Sequence, residues 1–490
     1  MTNASRRDLF KTASAGIASA MLASAPVMAK DKETKLAREY DVVVVGAGCG
    51  GLVTAVRCAQ NGLRTILVEK MGRPAGNTIY AAGYFLGVNT PFQKGKDLPE
   101  DSVEAFYEDM MKVSRQKGDK TLTRIVATKA NHALEWLHND CGVEFKTGIV
   151  LVWPMLGRSH IVKGPLAQGG ANLVTSLLAK AKELGVHMAF KTKVVDVLTN
   201  KEKGGVAGVR VKDASGLHEI KARLGVVLAT GGFSANQQMV TGYIGSAGAK
   251  MPIRGSHVIT GENIRFSDQF FARVVNVDQY HCGPIYGPTG ANPLFIVNNG
   301  VIVDQKGKRY TNEGLTYVQI SRDTAAMTPL NFGYVVTDKD AQEAMKVYYD
   351  NYRRTDSPLY EGATVAEAAK KAGLDVDAVV RSVEEYNAAI EKHQGASLTP
   401  PNTNPRARTV TKPPFIIVPF QGGMTATFGG PLINKHAQVY DTEGALIDGL
   451  YAVGNAAGGL FYDNYVGGAQ LTSAAVFGLE CADHLKTLKK

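Results

Sequence analysis

Tyr40-Asp41-Val42-Val43-Val44-Val45 is a nearly unbroken apolar, β-branched run, the pattern of a strand buried on both faces of a parallel sheet. It runs into Gly46-Ala47-Gly48-Cys49-Gly50-Gly51. Leu52 to Asn61 then reads as a helix, which Gly62 stops. A second short strand, Arg64 to Val68, ends on Glu69, completing a βαβ unit. Asn77 to Thr90 is rich in glycine and aromatics and predicts a loop over a ligand. Residues 101–140 and 171–184 carry helical periodicity. Strands are predicted at 194–198, 208–212 and 225–229, the last entering Thr230-Gly231-Gly232-Phe233.

The texture changes between about 276 and 412. Residues 301–310 read as a hairpin turning at Gly307, and 333–337 as a strand. Thr364 with Glu367 makes a capping box for a helix to about Lys371, followed by a helix over 376–391. Residues 397–405 hold three prolines and read as a surface loop. Strand–loop–helix texture then returns, with strands at 415–419 and 449–453, a glycine-rich 454–468 and a closing helix over 471–485. There is no internal repeat. The pattern predicts an α/β protein with a smaller domain inserted over 276–412.

Composition narrows the class. A 490-residue chain suits two or three domains. With 44% hydrophobic and 20% charged residues it is not disordered and has material for a sizeable core. Gly (53) far outnumbers Pro (19), which suits an enzyme whose backbone approaches a ligand closely. The five cysteines include no CxxC spacing. That excludes a disulfide scaffold, a zinc ribbon and an attached c-type haem, and no metal site is expected.

Ser5-Arg6-Arg7-Asp8-Leu9-Phe10-Lys11 precedes a weakly apolar, Ala/Ser-rich stretch that ends Val27-Met28-Ala29. Paired arginines before a mild apolar segment read as a twin-arginine export signal over residues 1–29, hence delivery of a folded protein to the periplasm. Interrupted by serines and Pro26, the stretch is too short for a stable membrane span. Its removal takes away a net +2 of the +10. The remaining Lys and Arg are dispersed, with no basic stripe, so nucleic acid is not expected as a partner.

Gly46-x-Gly48-x-x-Gly51 sits between a buried strand and a helix, with an acid, Glu69, 18 residues after Gly51. That is the full context of a dinucleotide fingerprint. Gly46 permits the turn, Gly48 lets the backbone approach the pyrophosphate, and Gly51 lets the helix pack on the strand. The helix N-terminus faces the phosphates, and Glu69 suits a ribose diol. The motif itself leaves FAD and NAD open. A second glycine loop, Thr230-Gly231-Gly232, and a third segment, Gly449-Leu450-Tyr451-Ala452-Val453-Gly454-Asn455-Ala456, point to FAD.

With these segments, and with AGNTIYAAG (75–83), LATGGF (228–233), KRYTNEG (308–314) and NYVGGAQLTSAAVFG toward the end, the sequence resembles a flavoprotein superfamily. It contains soluble fumarate reductases, urocanate reductases and 3-ketosteroid dehydrogenases. The resemblance covers about residues 40–488. It implies a split Rossmann-like FAD-binding domain, 39–275 and 413–488, with an inserted α+β capping (substrate) domain over 276–412. It also implies that Gly50 and Lys70 join the dinucleotide site. Asn77, Thr78, Ala82 and Gly83 would line the flavin, and Val194 would touch the adenine through its backbone. Asn455 stands where relatives usually carry Glu near the ribityl chain. Ala469, Gln470 and Leu471 would lie at the pyrimidine edge of the flavin. No His occupies AGNT, where some relatives attach the flavin, so FAD is expected to be non-covalent.

The resemblance further implies chemistry in which the flavin exchanges hydride with one carbon and a side chain exchanges a proton with its neighbour. Fumarate-type relatives carry an arginine four residues after the Glu of KRYTNEG; here that position is Tyr317. They carry another two residues before the late Gly-Gly; here it is Tyr465. Their later His is matched by Ala426, whereas His281 persists. The paired tyrosines resemble the ketosteroid branch, so Tyr317, Tyr465 and His281 are the candidate catalytic residues. Arg254, His257, Arg158 and His160 are secondary candidates, Arg322 could reach in, and Arg406 and Arg408 read as surface charges. The leading expectation is reduction of an enone or acrylate-type substrate, with Tyr317 as proton donor and electrons from a separate haem or flavin carrier. A ketosteroid-type dehydrogenase, a fumarate- or urocanate-type reductase and a non-catalytic flavin carrier are the alternatives.

Overall fold

The computed structural model describes residues 38–489 apart from 153–155, 167 and 203. The expected export signal over 1–29 lies outside the described residues. Five parallel strands form the spine of the main sheet, in the order Leu446–Ala452, Gly216–Leu228, Glu39–Val45, Thr65–Val68 and His187–Ala189. Val42, Val43 and Val44 have no exposure at all, as their unbroken apolar run requires. The helix Cys49–Gln60 covers the first strand and packs its other side on the closing helix Ala469–Leu488.

The central strand is longer than the sequence predicts. Its second half, 225–228, is the expected buried run and pairs parallel with Glu39–Val45 and Leu446–Ala452. Its first half alternates exposed and buried positions and pairs antiparallel with Val206–Asp213. Sided alternation and continuous burial thus meet in one strand.

A second sheet runs in the order Tyr280–Ile285, Phe415–Thr427, Gly333–Thr337, Val301–Val303, with Tyr360–Gly362 also on Phe415–Thr427. Helices cover both its faces. Val301, Val303 and Ile417 pack with Val379, Val383 and Tyr386 of the helix Val376–Glu391. Ile302, Val335 and Val418 pack with Tyr349 and Tyr352 of the helix Lys346–Arg354. The expected boundary at 412/413 falls just before Phe415–Thr427, whose pairing carries it with the 276–412 segment instead. Val365–Ala372 is the helix led by Thr364, whose hydroxyl accepts from Glu367 N at 3.1 Å. The return bond goes one residue early, with Glu367 Oε2 accepting from Ala363 N at 2.9 Å.

The architecture is α/β with a mostly parallel sheet, as the sequence predicts. The expected loop over 77–90 contains a helical turn, Asn77–Tyr80, and a strand, Tyr84–Leu86, which pairs with Leu156–Val162 in a third, small sheet. Among the described residues no helix is long and apolar enough to cross a membrane. All five cysteines are buried, unpaired thiols.

Candidate active site

Four of the five parallel strands end at one cleft, the position at which open α/β sheets bind ligands. Val45, Val68, Ala229 and Val453, at or just past the ends of four strands, line it, and it spans about 1070 Å³ with its open mouth included. Gly46 has φ +110°, and a Cβ there would lie 2.5 Å from Ala229 O. A Cβ on Gly51 would lie 2.0 Å from Gly46 O, so only glycine lets the helix Cys49–Gln60 begin this close to the strand. Gly48 differs: its Cβ would meet only Thr78 Oγ1, at 3.6 Å, and otherwise fill the cleft.

Glu69 is buried and held from both sides, accepting from Ala47 N at 3.0 Å and Met71 N at 2.9 Å. Burial pushes its pKa up, and those two N–H groups partly oppose the shift. Lys70 reaches Glu262 at 2.6 Å along the same wall. Burial would raise Glu262, but hydrogen bonding and charge from Lys70 outweigh it and hold the carboxyl low. Thr78 accepts from Cys49 N at 3.0 Å, and so takes one of the free N–H groups at the helix start.

Gly50, Asn77, Val194, Thr230, Gly231, Asn455, Gln470 and Leu471 also line the cleft. Four expected cofactor residues stand behind its wall instead. Gly51 serves helix–strand packing. A Cβ on Gly83 (φ +86°) would lie 2.6 Å from Gly169, and Ala82 O would lie 2.4 Å from one on Gly169, so Ala82 and Gly83 seat the helix Gly169–Glu183. Ala469 is fully buried at the start of the closing helix. The sequence reading missed Lys193, Ile259, Glu262 and Phe266, which line the cleft without a local motif.

The residues fit FAD. Gln470 Nε2 is buried without a hydrogen-bond partner at the cleft wall, a donor awaiting a polar edge. Gly48 leaves backbone open to the pyrophosphate, and the first N–H groups of a 12-residue helix follow it.

Tyr317, Tyr465 and His281 come together beside this cleft. Tyr317 is the first residue of the helix Tyr317–Met327, and Tyr465 sits in the loop before the closing helix. His281 lies on Tyr280–Ile285, with its ring centroid 4.6 Å from that of Tyr465 and 5.8 Å from that of Tyr317. Asn464, which the sequence reading missed, orients it. Asn464 Oδ1 accepts from Tyr465 N at 2.9 Å, which turns the amide oxygen toward His281 Nδ1 at 3.2 Å. Nδ1 therefore carries the proton, and Nε2 presents its lone pair to the Tyr317 hydroxyl at 3.4 Å. Burial, then the nearby charges of Arg254 and Arg322, lower the His281 pKa to about 3, so the ring is neutral. Burial raises the phenols of Tyr317 and Tyr465, and Arg254 opposes both shifts.

The cluster joins the cleft through the strand Phe415–Thr427. Asn77 Nδ2 donates to Thr425 O at 2.8 Å, and the next residue, Ala426, pairs with His281. Motif residues around Tyr317 serve structure. Arg309 and Glu313 form a buried two-pronged pair at 2.6 and 2.9 Å, and Arg309 also donates to Pro400 O.

Arg322 does not reach into the site. It clamps Asp463 at 2.6 Å and Tyr280 O at 2.7 Å, fixing the loop that carries Asn464 and Tyr465. Arg158 is buried between Asp101 and Asp109, and His160 bonds Thr90 at 2.7 Å, both in the small sheet. His257 and Arg406 are exposed. Arg408 lies near Tyr349 and Asp340, on the far sheet.

Over residues 41–471 the sequence matches the FAD binding domain family. The chain belongs to that family. It is 29% identical over 468 residues to an NADH:fumarate oxidoreductase of Klebsiella pneumoniae, covering 94% of this chain and 49% of the relative. It thus spans about half the length of that relative. It is 28% identical to a urocanate reductase of Eggerthella lenta, covering 90% of this chain and 74% of the relative. It is 26% identical to the acrylate reductase flavoprotein subunit of Shewanella woodyi, covering 97% of each. The open conformation of a flavocytochrome c3 fumarate reductase superposes with a TM-score of 0.80 at 25% identity, over 99% of this chain and 81% of that one. A 3-ketosteroid Δ1-dehydrogenase from Sterolibacterium denitrificans shares the fold, with a TM-score of 0.76 at 20% identity over 92% of this chain and all of that one. The resemblance read from the sequence and its FAD cofactor are borne out. The class of FAD-dependent oxidoreductases acting on CH–CH groups is borne out at the level of the family.

Proposed function

We propose that this chain reduces a carbon–carbon double bond conjugated to a carbonyl or carboxyl, an enone or acrylate-type substrate, with Tyr317 as proton donor. The observation that carries it is the convergence of Tyr317, Tyr465 and a neutral His281 next to Asn77 of the flavin cleft. FAD, held by the glycine loop, Glu69, Asn77 and Gln470, would supply the hydride. Tyr317 holds the proton for the neighbouring carbon, and Tyr465 donates a hydrogen bond to the substrate oxygen. A phenol whose pKa is pushed up keeps its proton at neutral pH. That suits a donor; a base for the reverse, dehydrogenating direction needs a lowered pKa. Ala426, in register with His281, stands where fumarate-type relatives place a second His, so that polar partner for a second carboxylate is missing.

Among the described residues the cleft lining holds no His and one Cys, Cys49, whose thiol is pushed up to about 12 by burial. Neither offers an attachment nucleophile, so the FAD is non-covalent, and acid precipitation should release all of it. The Arg6-Arg7 segment supports export to the periplasm by the twin-arginine route. The likeness to a flavocytochrome c3 fumarate reductase supports a haem or flavin carrier as electron donor. Changing Arg6 and Arg7 to Lys should leave precursor in the cytoplasm. The deciding experiment is anaerobic: chemically reduced protein is mixed with enones, acrylates and fumarate, and flavin reoxidation is followed. Reoxidation by fumarate faster than by every enone and acrylate sinks the reading.

A further inference from the structure

Among the arginines placed near the site, Arg254 alone has no counter-ion. Arg309 has Glu313, and Arg322 has Asp463. Arg254 has no Asp or Glu within 4 Å among the described residues. Its guanidinium donates through Nη1 to Thr425 Oγ1 at 3.1 Å, and its Nε is buried with no partner. Arg254 is only partly exposed, and leaving its buried N–H without a partner is costly.

The chain is built to hold the group there. Arg254 N donates to Met424 O at 2.7 Å, which fixes its backbone to the strand Phe415–Thr427. A Cβ on Gly283 would stand 3.0 Å from Arg254 Cζ, closer than ordinary contact, so glycine at 283 gives the guanidinium its room two residues from His281. On its other side, Ser256 N donates to Asn77 Oδ1 at 2.8 Å. The guanidinium therefore lies between the flavin segment and the tyrosine cluster, and its charge reaches His281, Tyr317 and Tyr465.

We propose that Arg254 is the anion anchor of the substrate site, and that it makes the substrate an α,β-unsaturated monocarboxylate. A guanidinium offers a carboxylate two parallel N–H bonds, a geometry neither Tyr465 nor a neutral His281 can supply. One unpaired cation accommodates one carboxylate. A second would face phenols and an uncharged imidazole. This inference rests on the proposed reduction and narrows its substrate class from enones and acrylates to acids. Arg254 takes over, from a position outside the family motif, the charge that Tyr317 and Tyr465 do not carry.

The test compares holoprotein with Arg254→Gln and Arg254→Lys, each checked for bound flavin. Reduced protein is reoxidised by acrylate, crotonate or cinnamate, and by the neutral 4-phenylbut-3-en-2-one. Separately, propionate, butyrate and 3-phenylpropanoate are titrated into oxidised protein and read by the flavin absorbance. Losing a charged hydrogen-bond partner should weaken the acids about 10- to 150-fold in Arg254→Gln. The ketone should change far less, and Arg254→Lys should recover part of the acid affinity. Equal losses for acid and ketone, or acid affinity untouched in Arg254→Gln, overturn the assignment. If wild-type protein reduces neither class, the proposed reaction fails instead. The saturated acids then still decide: binding lost in Arg254→Gln upholds the anchor, and no carboxylate binding in wild type overturns it.

Discussion

The dinucleotide cleft and the tyrosine cluster meet at Thr425 and Ala426, yet they are made of different material. The cleft is largely backbone: glycines that admit close approach, strand ends and a helix start. The cluster is side chains brought from three places far apart in sequence, residues 281, 317 and 464–465, onto one strand end. Backbone sites depend on what is missing from a side chain, whereas side-chain sites depend on what is present and how it is aimed. Mutations should therefore fail in opposite ways in the two regions.

The largest effect belongs to the cleft. Gly51→Val drives a side chain into Gly46 O, where even a Cβ would lie 2.0 Å away, and should abolish folded, yellow protein. Gly48→Val should fold with normal circular dichroism but purify colourless, because its side chain enters open space meant for the cofactor. If both variants behave alike, the two glycines do not have separate roles. In the cluster, Tyr317→Phe should retain flavin but lose about 10²–10⁴ in turnover, the range for loss of a general acid. Near-full activity would remove Tyr317 as the donor.

Next is Glu313→Gln, which breaks a pair that is nearly inaccessible on both sides. Removing one partner of a buried ion pair costs about 3–5 kcal/mol, read as a lowered midpoint in denaturant melts. The smallest expected change is with pH. His281 stays neutral down to about 3, and the phenol of Tyr317 is raised above its usual value near 10. The protonated phenol is the active form, so turnover should fall only as alkali titrates it. Between about pH 5 and 9 it should stay level, and a limb near the usual histidine value of about 6.5 would contradict the neutral His281.

The same contrast governs what the sequence reveals. Gly46, Gly48, Gly51 and Glu69 sit within 24 consecutive residues, because one strand–turn–helix–strand unit builds that wall. Their spacing alone locates the cleft. Glu262 and Phe266 line it from a segment with no motif and become visible only in three dimensions. Tyr317 and Tyr465 are legible only against a family pattern, through the arginines they stand in for. Asn464 escaped because its task is to aim another residue, and Arg322 misled because its charge serves a loop. The 412/413 boundary missed the strand Phe415–Thr427 because its burial is continuous at both ends, so local polarity does not say which sheet receives it.

The cysteines have a bearing on durability. Cys58, Cys141, Cys282 and Cys481 are buried in packed interior, Cys49 is buried in the wall of the cofactor cleft, and burial raises every thiol. Sulfhydryl oxidants and alkylating reagents act on accessible thiolates, and this protein offers neither access nor thiolate. It has no cystine to be reduced and no sulfur poised to scramble, so swings in ambient redox potential leave its covalent structure alone. Labelling of the native protein by a maleimide would then report unfolding rather than surface chemistry, which makes the five sulfurs a built-in gauge of structural integrity.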